Sequence, residues 1–124
     1  MSVTRGIVLL RERISNAELS RLVKLYFEDM VKYVADVERG VIAVGGELHA
    51  DAEQLLLEDG SRQQDLWGAN YYPGAGADSC IELTALINIR PSQGNRSMEI
   101  ESPDVRAAVR MFTTQLIGRG EPLE

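Results

Sequence analysis

Two β-branched runs on either side of Arg39-Gly40 constrain the fold most. Val31, Tyr33, Ala35 and Val37 alternate with Lys32, Val34, Asp36 and Glu38, and Val41 to Val44 resumes the pattern after the turn. Alternation with a period of two is what a strand with two distinct faces requires. Two such runs joined by a short turn predict an antiparallel hairpin. Any fold for this chain must therefore place a sheet at its centre.

The remaining segments build around that hairpin. Ile7 to Leu10 is a short apolar run that suits a buried strand. Ser15-Asn16-Ala17-Glu18 has capping-box spacing, and Leu19, Leu22, Val23, Tyr26 and Phe27 follow at helical intervals. Leu66 to Tyr72 is aromatic and reads as a strand. Ile81, Leu83, Ala85, Ile87 and Ile89 alternate with Glu82, Thr84, Leu86, Asn88 and Arg90, the clearest strand pattern in the chain. These two predict a second hairpin across the flexible Pro73 to Asp78 connection. Ser102-Pro103 opens a last helix whose stripe is Val105, Ala108, Val109, Phe112 and Leu116. Gly118 closes it, and the tail after it reads as loose. The predicted order is β-α-β-β-α-β-β-α. This is one α+β domain over residues 1–124, with a largely antiparallel sheet of about five strands and helices mainly on one face.

The candidate chemistry sits just after the first hairpin, in Gly45-Gly46-Glu47-Leu48-His49-Ala50-Asp51. It holds the chain's only histidine, with a carboxylate two residues to either side. If the strand continues, Glu47, His49 and Asp51 share one face, with Leu48 on the core side. Glu47 and His49 then suit general acid–base catalysis near neutral pH. Flanking carboxylates are expected to raise the histidine pKa. A helix-capping role explains Asp51 equally well, capping a short helix over Leu55 to Leu57 that ends at Gly60. His49 with Glu47 or Asp51 could also ligate a divalent metal, although one histidine without a cysteine cluster falls short of any standard site; the sequence leaves the cofactor unknown.

A second polar stretch runs from Asn88 to Ser97. Arg90, Gln93, Asn95 and Ser97 offer donors that suit an anion such as a phosphate. The alternative is a surface loop whose side chains satisfy its own backbone. On the strand reading Arg90 faces away from a buried Ile87. Ile87→Ala is then expected to cost about 2–5 kcal/mol and Arg90→Ala much less. Trp67, Asn70, Tyr71 and Tyr72 form a third candidate. They suit a ligand-binding or dimer face, or simply a half-buried sheet.

Composition removes several function classes. The formal charge of −6 disfavours a general nucleic-acid binder, which needs a basic face. No stretch is apolar for long enough to span a bilayer, and the N-terminus lacks the pattern of a signal peptide. The lone Cys80 cannot form an internal disulfide, which fits a cytoplasmic protein.

Three segments, GGELHAD, DLWGANYYP and INIRPSQGNRS, together resemble a family of short prokaryotic proteins known only as a domain of unknown function. The resemblance runs from the first helix to the last. It implies that Glu47, His49, Asp51, Trp67, Asn70, Arg90, Gln93, Asn95 and Ser97 occupy the family's signature positions. Two readings follow from the residues. One is a small hydrolase or phosphoester-handling protein, with Glu47 and His49 as acid and base and an anion on the Arg90 loop. The other is a non-catalytic module holding a small molecule, a phosphorylated ligand or a protein partner. Both leave a homo-oligomer open.

Overall fold

The predicted hairpin forms the middle of the sheet. In a computed structural model describing residues 6–123, the elements are β1 (Ile7–Leu10), α1 (Asn16–Tyr26), β2 (Val31–Asp36), β3 (Val41–Gly45), α2 (His49–Glu58), β4 (Leu66–Tyr71), β5 (Ile81–Glu82) and α3 (Pro103–Leu116). The five strands lie in the order β1-β3-β2-β4-β5, and every neighbouring pair is antiparallel. The fold is α+β, as the pattern predicts.

Asp36 makes the turn of the hairpin. Its Oδ1 accepts from the backbone N–H groups of Glu38 and Arg39, both at 2.9 Å. Such a side chain mimics a backbone turn. The carboxylate is fully buried, and Ser61 Oγ donates to its other oxygen at 2.6 Å. The predicted caps also hold. Ser15 Oγ accepts from Glu18 N, and Ser102 Oγ from Val105 N with Pro103 at the first helical position.

Helices cover both faces of the sheet. On one face α1 and α3 pack Leu19, Leu22, Val109 and Leu116 against Tyr33, Ile42 and Trp67. On the other α2 sets Ala52, Leu55 and Leu56 against Val34, Ala43 and Leu66. A strand buried on both faces reads as a continuous apolar run, which explains Val41 to Val44.

The stretch from Ile81 to Ile89 is not one strand. Only Ile81 and Glu82 pair with β4, opposite Tyr71 and Asn70. Beyond them the chain makes a single 3-10 turn at Leu86–Asn88. Burial follows the alternation as far as Leu86 and then inverts it: Asn88 is 0% exposed and Arg90 9%, while Ile89 is 42% exposed. The reason is the outer edge of β4. Asn88 accepts from Gly68 N at 2.8 Å and donates to Gly68 O at 3.0 Å, the two bonds a neighbouring strand would supply. Arg90 donates to the carbonyls of Leu66 and Gln63. Unpaired edges template aggregation, and here side chains close the edge where backbone pairing stops.

Two smaller expectations also change. Helix α2 begins at His49, so Asp51 lies in its first turn and the N-cap is Leu48, without a side-chain bond. The segment after Gly118 is held, not loose. Gly120 N donates to Tyr71 Oη at 2.8 Å, and Gly76 N donates to Gly120 O at 3.1 Å.

Candidate functional site

The imidazole of His49 rests on the sheet over one glycine, and it is not one of the pair that precedes it in the chain. Gly45 ends β3 at φ +110°, and a Cβ there would lie 2.1 Å from Gly6 O. Only glycine lets β1 pass that closely, so the glycine pair shapes the exit of β3 and not the histidine's surroundings. The residue that makes room is Gly68 on β4. A Cβ there would sit 3.2 Å from His49 Cδ2 and 2.6 Å from Ala85 Cβ.

His49 is half-buried, and its Nε2–H donates to Ala69 O at 2.9 Å. A carbonyl can only accept, so Nε2 carries the proton and the neutral ring keeps Nδ1 as an acceptor. Burial is the main influence on its titration and pushes the pKa below the usual 6.5. The Ala69 carbonyl opposes that shift. The Lys32 charge reinforces it, and Asn70 and Glu82 oppose it more weakly. Glu47 and Asp51 are exposed and take no part. The expected rise is therefore reversed, because the ring lies inward and away from both flanking carboxylates.

Beside the ring, three strands contribute one polar row. Lys32 on β2 pairs in register with Asn70 on β4, and Asn70 pairs with Glu82 on β5. Asn70 Nδ2 donates to Glu82 Oε1 at 2.8 Å, and Tyr72 Oη donates to the same oxygen at 3.0 Å. A carboxylate only accepts, which fixes the orientation of the Asn70 amide. Its Oδ1 is left as the one buried side-chain N or O atom among the described residues with no hydrogen-bond partner. Buried polar groups are nearly always paired, so this exception marks a place. Asn70 lines a cavity of about 260 Å³ together with Lys32, His49 and Thr84, with Leu48, Leu86 and Met98 at the rim, while Oδ1 itself is sealed from solvent. Those three rim residues are exposed, at 56%, 71% and 41%. Leu48 therefore does not enter the core as its position in a continued strand implied.

The other expected residues do not join this cavity. Arg90 directs Nε to Ile87 O, Nη1 to Gln63 O and to Gln93 Oε1, and Nη2 to Leu66 O. Its guanidinium stacks 4.8 Å over the Trp67 ring and lies 3.6 Å from Glu53. Four of its five N–H donors are hydrogen-bonded within the fold, and the Glu53 carboxylate faces the nitrogen that carries the fifth. Asn95 is equally committed: Nδ2 serves the carbonyls of Asn88, Ser97 and Glu99, and Oδ1 accepts from Glu101 N. Gln93 Nε2 donates to Gln64 O, and Ser97 donates to Glu101. The loop satisfies its own backbone and that of β4. Trp67 and Tyr71 are buried in the α1/α3 face.

Lys32, Gly68, Glu82, Thr84 and Met98 escape a linear reading. They are neighbours only across strands, so the register is the signal that finds them. A larger groove of about 650 Å³ beside the start of α3 includes Glu99, Arg106 and Arg110, but it holds no unpartnered buried polar atom. Among the described residues no three His, Cys, Asp or Glu side chains stand close enough to hold a metal. None of their helices is long and apolar enough to cross a membrane.

A family model described as "Protein of unknown function (DUF5674)" matches residues 8–116. No curated protein and no solved structure gives a match.

Proposed function

The chain belongs to this family of proteins of unknown function, and from its geometry we propose that it is a small-ligand-binding protein, with its ligand between the first turn of α2 and the Lys32–Asn70 rung of the sheet. The observation that carries the reading is the cavity itself, where the polar side chains of Lys32, His49, Asn70 and Thr84 meet the apolar Leu48, Leu86 and Met98. His49 brings a neutral ring and Lys32 a cation without an ion pair among the described residues.

Binding without chemistry is favoured over hydrolysis. An acid–base pair of Glu47 and His49 needs the carboxylate beside the ring, and Glu47 is exposed. An anion on the Arg90 loop needs free donors, and four of that guanidinium's five are taken, with the Glu53 carboxylate 3.6 Å from the nitrogen that carries the fifth. An interaction face on Trp67 and Tyr71 needs those rings outside the core.

The test is a set of ¹H–¹⁵N correlation spectra of the full chain with added amino acids, hydroxy acids, sugars and nucleosides. At least one class should shift the signals of Lys32, His49, Asn70 and Thr84 in a saturable way. If no class moves these residues, or shifts centre on the Arg90 loop, the reading is wrong.

A further inference from the structure

The two edges of the sheet are finished differently. At β4 the side chains of Asn88 and Arg90 take up the backbone where strand pairing stops. At the opposite edge β1 pairs only with β3. Among the described residues its outward N–H and C=O groups have no partner. An edge strand is ordinarily protected by a charge, a proline or a bulge. Ile7-Val8-Leu9-Leu10 has none of these, and its register with β3 is unbroken.

The surface beside this edge is apolar and balanced in charge. Val8 and Leu9 are half-buried, and Leu25 and Tyr26 at the end of α1 are exposed. The last two lie against the residue that leads into β1. A Cβ on Gly6 would sit 3.0 Å from Tyr26 Cε2 and 3.3 Å from Leu25 Cδ1. A groove of about 350 Å³ follows β1 into the loop after it, and its charged residues are Arg11, Glu12, Arg13 and Glu18. Arg11 pairs with Asp59, Arg13 with Glu121 and Glu18 with Arg21. The edge is thus locally neutral on a chain of formal charge −6. Such a chain repels its own copies in general, and a neutral apolar edge is where the repulsion is least.

We propose that β1 pairs antiparallel with β1 of a second copy, across a two-fold axis at Val8, and so joins two five-stranded sheets into one. Val8 and Leu10 belong to the α1/α3 layer, Ile7 and Leu9 to the α2 layer. With the axis at Val8, that residue faces its own copy and Ile7 faces the partner's Leu9. Each pair lies within one layer, so both cores continue across the axis. Gly6, with Leu25 and Tyr26 against it, comes opposite the partner's Leu10. No charge stands opposite another. A polar peptide strand would gain the same backbone bonds but forfeit these apolar pairs.

Sedimentation equilibrium of the full chain measures the association, with far-UV circular dichroism to confirm the fold of each variant. The chain should reach twice its own mass as its concentration rises. Leu25→Glu changes an exposed residue, and Val8→Lys sets two lysines opposite each other. Each should weaken the dimer by about tenfold or more. Val8→Cys should form an intermolecular disulfide on mild oxidation, since directly opposite Cα atoms in an antiparallel pair stand about 4.5–5.5 Å apart. Leu9→Cys should not, because it faces Ile7. Cys80 is buried and does not compete. A chain that stays monomeric at millimolar concentration overturns the inference, as does a dimer that either folded variant leaves unchanged. So does a dimer that cross-links as readily through Leu9→Cys as through Val8→Cys. A monomer whose outward β1 amides resist hydrogen exchange would mean that another segment covers the edge, and counts equally against the dimer.

Discussion

His49 shows how far one residue's environment can depart from its sequence neighbours. Two carboxylates flank it in the chain, yet the ring turns inward onto Gly68 and donates to Ala69 O. Burial then holds the neutral form, with the folded pKa below 6.5. The unfolded ring binds its proton near 6.5, so between the folded value and 6.5 the unfolded chain carries more protons. Stability from this group is complete above that window and falls as pH drops through it. NMR titration of the lone imidazole should give a midpoint below 6.5; a higher midpoint would place the ring beside its flanking carboxylates. Arg90 is the second reversal. Its removal strands the carbonyls of Leu66, Gln63 and Ile87. Leu66 is buried, Ile87 half-buried and Gln63 exposed, so at about 1–3 kcal/mol for a buried group left unpaired Arg90→Ala should cost about 2 kcal/mol or more. Ile87 is only half-buried, so Ile87→Ala should cost less. Urea denaturation of both variants checks this order, which is the opposite of the one strand alternation predicts.

At the scale of elements, the sheet edge explains what a linear pattern hides. Alternation finds β2, and residue type finds β3 and β4, because backbone pairs with backbone there. The pattern fails after Leu86 because the Asn88 amide and the Arg90 guanidinium take over the pairing, and their positions follow β4 and not their own chain. The helix starts at Ser15 and Ser102 were legible, since each cap is a local bond over three residues. The start of α2 was not, because no side chain caps it. The candidate site was half legible. His49 and Asn70 stand out as residue types, but Lys32, Glu82 and Thr84 depend on register. Asn88→Ala should therefore act through β4. It removes both edge bonds of Gly68, and the Gly68 amide should lose hydrogen-exchange protection together with about 2 kcal/mol or more of global stability. Full protection at Gly68 in that variant would mean the amide is not the edge partner. Gly68→Ala should be worse for the site than for the edge, since the added methyl meets both Ala85 and the His49 ring.

The whole molecule is a sheet between two unlike layers, and only one of them carries the candidate site. Helices α1 and α3 cover one face, where Leu116 is 7% exposed. Helix α2 covers the other, where Leu56 is fully buried. His49 is the first residue of α2, so the anchoring of that helix sets the height of the imidazole over Gly68. Large-to-small changes in either layer should cost about 2–5 kcal/mol. Their consequences for the site should differ, because sites that share no packing partners act nearly independently. Leu116→Ala should lower the denaturation midpoint and leave the His49 ring signals and their titration unchanged. Leu56→Ala should lower it comparably and also move those signals, with the histidine pKa rising toward 6.5 as a loosened α2 lets water reach the ring. Denaturation and imidazole NMR on the two variants separate the layers. A shift of the His49 signals in Leu116→Ala as large as in Leu56→Ala would mean that the sheet transmits strain between its faces and that the site is not the property of one layer.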